Sequence, residues 1–186
     1  RYDPQEYHGP SLYWLTLPSL WLHGRASFAE TTETDYRIVP VVFGAGLVLL
    51  LWLLADGLGR GPAVLAGLFT AISPALVFYS RYYIQETLLV FFALAALGAG
   101  WRYVCSQKVL WAIACGAAVG MMHATKETWV ISAAAAGAGL ALTWAWTWWR
   151  EKTPPALRDL LSARAMIGFL AAACLVAVVF YSSFGR

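Results

Sequence analysis

Four stretches of this chain, residues 38–55, 61–80, 128–149 and 165–185, contain no Asp, Glu, Lys or Arg. Each approaches or exceeds the ~18 apolar residues that a helix needs to cross a bilayer. A backbone in hydrocarbon must satisfy its own hydrogen bonds, and a helix does so within a single segment. Two shorter runs, 87–101 and 109–125, reach that length only when polar neighbours are drawn to the membrane edge. Composition agrees: 60% of residues are hydrophobic, 12% are charged and ten are Trp, a balance foreign to soluble domains. The expected fold is all-α, a polytopic helical membrane protein with about six transmembrane helices.

Residues 1–36 read as an extracytoplasmic loop containing an interfacial helix at about 11–23. That stretch is aromatic, too short to span and interrupted by Pro18, and it would set Trp14 and Trp21 near the headgroups. The transmembrane domain is expected over 37–186, with spans near 38–58, 62–80, 83–104, 109–125, 128–149 and 164–184. The Thr-Thr-Glu-Thr-Asp stretch offers helix caps ahead of the first span. Ala- and Gly-rich patches such as 133–139 suit close helix packing in lipid. Cys115 and Cys174 fall in spans and Cys105 in a connection, so no disulfide framework is expected. The chain opens on Arg rather than Met and stops at the end of a span, and is expected to be a piece of a longer protein.

Orientation follows from the bases. Arg60, Arg102, Lys108, Arg150, Lys152, Arg158 and Arg164 fall on one side, against Arg1, Arg25, Arg37, Arg81, Lys126 and Arg186 on the other. The two counts are nearly even. Arg37, Arg81 and Lys126 sit at span edges beside acids, as residues employed in a site would, and discounting them makes the first side cytoplasmic. His8, His23 and His123 then gather on or near the opposite side, with seven of the ten acids.

Within that polar collection, residues 73–92 ("SPALVFYSRYYIQETLLVFF") are the most informative. Pro74 should kink or end its helix, and Glu86 should lie in the first turn of the next span, where the helix dipole favours a carboxylate. An acid held at the membrane edge needs a partner or a function. Glu86 is either a site acid or a helix-start acid paired with Arg81. Lys126, in "HATKETW", could present an ammonium to a phosphate, or snorkel to the headgroups while Glu127 caps the following helix. His8 and its neighbouring tyrosines could line a sugar- or headgroup-binding cleft. No metal-ligand spacing, phosphate-cradling Gly loop or Ser/His/Asp set is visible.

Taken in order, "HGPSLYWL", "DYRIVPVVFGAGLVLLLWLL", "SPALVFYSRYYIQETLLVFF" and "GMMHATKET" resemble the motifs of the GT-C membrane glycosyltransferases. The branch is the one holding the protein O-mannosyltransferases and the lipid A aminoarabinose transferase. "YDPQEYHGPSLY" is most similar to a prokaryotic subfamily associated with flippase activity. Gly9 replaces the first proline of the family's Pro-Pro pair, and Glu stands at 86 where Asp is more usual.

The resemblance implies a GT-C-like fold and inverting transfer of a sugar from a polyprenyl-phosphate-linked donor. The acceptor would be a protein, lipid or glycan at the extracytoplasmic face of a prokaryotic cell (plasma) membrane. It implies that Glu86 is the site's acid and that Lys126 meets the donor's phosphate, with His8, Arg81 and Tyr82 lining the site. The family's base, an acid closing a first span, would precede Arg1, so this stretch alone should be inactive; Asp3 and Glu6 do not match it. No cofactor is identified, although a divalent metal stays compatible, and the expected partners are the lipid-linked sugar, membrane lipids and the acceptor, with no nucleic acid. The competing reading is a transporter or lipid-flippase-associated component, with Glu86 and Lys126 forming a gate near the bilayer midplane.

Overall fold

The computed structural model describes residues 8–152 and 162–182. Asp3, Glu6, Arg158 and Asp159 lie outside the described residues. All regular elements among those described are helices: α1 (Ser11–Leu22), α2 (Glu33–Leu50), α3 (Ala55–Leu58), α4 (Arg60–Ile72), α5 (Pro74–Tyr79), α6 (Glu86–Ser106), α7 (Val109–Thr125), α8 (Trp129–Glu151) and α9 (Ala163–Tyr181). A 3-10 turn, Leu51–Leu54, joins α2 to α3, so that Glu33–Leu58 is one apolar rod of 26 residues. By length and composition this rod, α6, α8 and α9 can each cross a membrane. The chain is an all-α, multi-pass membrane protein.

Helix boundaries differ from the sequence expectation where proline and polar residues act. The run at 61–80 is broken, because Ser73 turns extended ahead of Pro74 and leaves helices of 13 and six residues. Conversely, the short run at 87–101 lies in a 21-residue helix that starts on Glu86 rather than at 83. Pro18, expected to interrupt the first apolar stretch, sits inside α1 without ending it.

α6 runs parallel to the Glu33–Leu58 rod and antiparallel to α7, and α9 runs parallel to α7, as contacts at both ends show. At one end Arg102 of α6 pairs with Asp56 of α3. At the other, Lys126 after α7 meets Glu86 of α6, and the Tyr181 hydroxyl of α9 donates to the carbonyl of His123. Leu12, Val39 and Leu88 bind α1, α2 and α6 together, with Phe43, Tyr83 and Phe92 packed around them. On the other flank α7 lies against α9 so closely that a Cβ on Gly116 would stand 2.1 Å from the Phe169 carbonyl oxygen.

The 133–139 patch is not used in the way its composition suggested. These residues face outward on α8, and nothing lies within 4 Å of a Cβ on Gly137 or Gly139. Close packing falls instead on Gly116 and Gly120, a Gly-x-x-x-Gly pair that puts both glycines on the face toward α9.

Candidate functional site

The site is built from the end of α7, the start of α6 and the short segment leading into α1. After Thr125 the chain leaves α7 in extended geometry at Lys126, which pairs with His8 as an isolated antiparallel bridge. The Gly9 amide donates to the Thr125 carbonyl at 3.1 Å. Side chains repeat the connection: the buried Ser11 hydroxyl donates to Thr125 Oγ1 at 2.8 Å, and that hydroxyl donates to the Met121 carbonyl at 2.6 Å. Two networks thus fix the backbone of Lys126 against the start of α1.

Lys126 then reaches across to α6, and its Nζ donates to Glu86 Oε1 at 2.5 Å. The lysine side chain is 17% exposed and the glutamate 44%. The partner of Glu86 is thus Lys126 and not the nearby Arg81, and the Lys126 ammonium is turned toward α6. Nor does Glu127 cap α8, which has no side-chain cap; its carboxylate lies 3.7 Å from His8 Nδ1. His8, Lys126, Glu86 and Glu127 form one mixed-charge cluster at helix ends.

Arg81 and Tyr82 belong to a neighbouring cleft. They line a space of about 490 Å³ together with Arg37, Pro74, Val77 and Phe78. A larger groove of about 780 Å³ shares Arg37 and Tyr82 with it and extends past Tyr13, Thr16, Phe28, Tyr36 and Tyr83. Arg37 lies 6.0 Å from the Tyr82 ring centre and pairs with Glu33 one turn earlier. The Arg81 guanidinium has no ion-pair partner among the described residues.

The floor between α1 and the 82–85 segment is held by polar contacts. Thr16 donates to the Leu12 carbonyl, and its oxygen, 2.7 Å from the Tyr83 hydroxyl, is then the acceptor of the tyrosine proton. Burial pushes the pKa of that phenol above its ordinary value, so it stays a neutral donor.

The five sequence candidates therefore divide. His8, Glu86 and Lys126 come together, and Arg81 with Tyr82 forms a second group joined to the first through residues 83–85. Asp35, which the sequence offers only as a helix-cap candidate, has further partners. Asp35 is 1% exposed and accepts from Thr32 and Arg25, with His23 Nδ1 2.8 Å from its Oδ1. The readable signal was His23 and Arg25 standing ten to twelve residues ahead of it. Among the described residues no group of three or more His, Cys, Asp or Glu side chains could hold a metal.

A multi-pass helical membrane protein with ionic chemistry collected at helix ends is the class that fold and site define. The chain belongs to the dolichyl-phosphate-mannose-protein mannosyltransferase family, whose model matches residues 15–184. That places it among the GT-C membrane glycosyltransferases, with Glu86, Lys126, Arg81 and Tyr82 inside the matched region and His8 ahead of it. No curated protein and no solved structure matches it.

Proposed function

We propose that this chain forms the donor-binding end of a glycosyltransferase that moves a sugar from a polyprenyl-phosphate carrier to an acceptor at the extracytoplasmic face. The acceptor class most consistent with the family is a protein, and the sequence motifs favour a prokaryotic plasma membrane. Cleaving a sugar from a lipid phosphate needs cations to steady the leaving phosphate and a carboxylate to orient or deprotonate the acceptor hydroxyl. Lys126 has three ammonium protons, of which Glu86 takes one. The other two are available to phosphate oxygens, and Arg81 supplies a second cation beside an apolar cleft wall suited to an isoprenoid chain. Glu86 is the acid lining the site, and His8 and Tyr82 complete its polar border.

The observation that carries this reading is the Lys126–Glu86 pair at the ends of α7 and α6. Glu86 is the first residue of a helix long enough to span, which supports a position for the pair at a membrane edge rather than at mid-depth. A transporter gate would stand near the midplane, and the helix-end position weighs against that alternative. The test uses the full-length protein with Glu86→Gln and Lys126→Ala. Transfer from a polyprenyl-phosphate sugar should fall by about 10² or more in each, as when a preorganised charge is removed. Unchanged transfer in either would remove that residue from the site.

A further inference from the structure

We propose that Asp35 is a positioning residue: by holding residues 23–32 in place it sets the shape of the groove in which Arg37 and Tyr82 meet substrate. The substrate half of this statement rests on the glycosyltransferase reading above; the clamp itself does not.

Asp35 has more partners than a helix cap needs. Its Oδ2 accepts from the Thr32 amide at 2.7 Å and the Thr32 hydroxyl at 2.9 Å, which would complete an N-terminal cap. The same oxygen also accepts from Arg25 Nε at 3.1 Å, and Oδ1 lies 2.8 Å from His23 Nδ1. Asp35 is 1% exposed because these partners, themselves part-exposed, cover it, and a carboxylate so shielded from water is favoured when it is well bonded. His23 is the C-cap of α1, Arg25 follows it, and Thr32 is the N-cap of α2. One side chain thereby ties both ends of the connection to the first turn of α2.

That connection is a groove wall. Phe28 of the connection lines the groove together with Leu20 of α1, Tyr36 and Arg37 of α2, and Tyr82 and Tyr83. Phe28 is 85% exposed, so packing does not hold its wall in place. Glu30 bonds the turn around Phe28 through the Ala26 amide and the Ser27 hydroxyl, and the Asp35 contacts fix that turn's two ends to α2. From there the contacts extend inward: the Tyr36 hydroxyl donates to Thr31 Oγ1 at 3.1 Å, and its ring stands edge-on to Tyr83 at 5.3 Å. Removing the Asp35 charge releases the Phe28 wall and the Tyr36 contact together, while Arg37 itself is untouched.

The experiment uses the full-length protein in lipid nanodiscs, comparing wild type with Asp35→Asn and with Arg25→Gln, which removes one arm without burying an unpaired acid. Folding is confirmed first by size exclusion and a cooperative thermal transition. In Asp35→Asn, KM for the polyprenyl-phosphate sugar or for the acceptor should rise about tenfold with kcat within about twofold, the signature of lost binding geometry. Arg25→Gln should shift the same KM in the same direction by less. Unchanged KM values in both variants, or a fall in kcat alone, would overturn the proposal. Trypsin cleavage after Arg25, followed by mass spectrometry, reads the clamp without any assumption about the reaction. It should be about tenfold faster in Asp35→Asn, because a segment cut loose opens locally. If wild type transfers no sugar but this cleavage still accelerates, the functional reading fails and the clamp stands. Equal cleavage rates overturn the clamp and the proposal with it.

Discussion

Gly9 shows how much a single residue decides at this site. A Cβ there would stand 2.1 Å from the Ala124 carbonyl oxygen and 2.9 Å from the Thr125 nitrogen. Both neighbours are backbone in the last turn of α7, so neither can rotate away. Gly9→Ala should therefore force the His8–Lys126 bridge apart, at roughly 1–3 kcal/mol typical of overpacking. Thermal unfolding in detergent measures this, and an unaltered transition would mean the two backbones do not meet. In the sequence, Gly9-Pro10 reads as a turn; the real demand for glycine is closeness to a segment more than a hundred residues away. The same limit applies to Glu86, whose charge and helix-start position are legible in "YIQETLL". Its partner is not, because Arg81 is near in sequence while Lys126 is brought near only by the antiparallel packing of α6 and α7.

At the scale of elements, apolar length and proline placement were readable, and the choice of packing faces was not. Residues 133–139 and the Gly116–Gly120 pair look alike as small-residue patches, yet only the second meets another helix. What separates them is the outline of α9, which no local pattern on α7 or α8 contains. The contrast yields a paired test. Gly116→Ala should destabilise by roughly 1–3 kcal/mol, since the added methyl meets the Phe169 backbone. Gly137→Ala, made in open space, should be neutral or slightly stabilising, as alanine is the better helix former by about 0.5–1 kcal/mol. Unfolding both variants in the same detergent compares them, and equal effects would contradict the helix pairing described here.

Across the whole molecule, the length of α6 separates a clasp at one end, Asp56 with Arg102, from the ionic cluster at the other. In the proposed orientation, reached by discounting Arg37, Arg81 and Lys126 as site residues, the clasp faces the cytoplasm. Cys105 is exposed near that clasp, and Glu127 is exposed in the cluster. In intact cells a membrane-impermeant thiol reagent should label Glu127→Cys and spare Cys105 until the cells are opened. Labelling in the reverse order would invert the orientation and move the site to the cytoplasm.

The central claim is that Lys126 and Glu86 are paired for chemistry and not only to fasten α7 to α6. Exchanging them, Glu86→Lys with Lys126→Glu, separates these roles, because the ion pair survives while the cation moves to the other helix. A lysine at the start of α6 opposes the helix dipole by only about 0.3–1 kcal/mol, so the fold should hold. The decisive measurement is sugar transfer from a polyprenyl-phosphate donor by this exchanged protein, made beside Lys126→Ala. We expect a thermal transition close to wild type with transfer as low as in the single variant. Transfer restored to the wild-type rate would contradict the claim and leave the pair as a structural fastening.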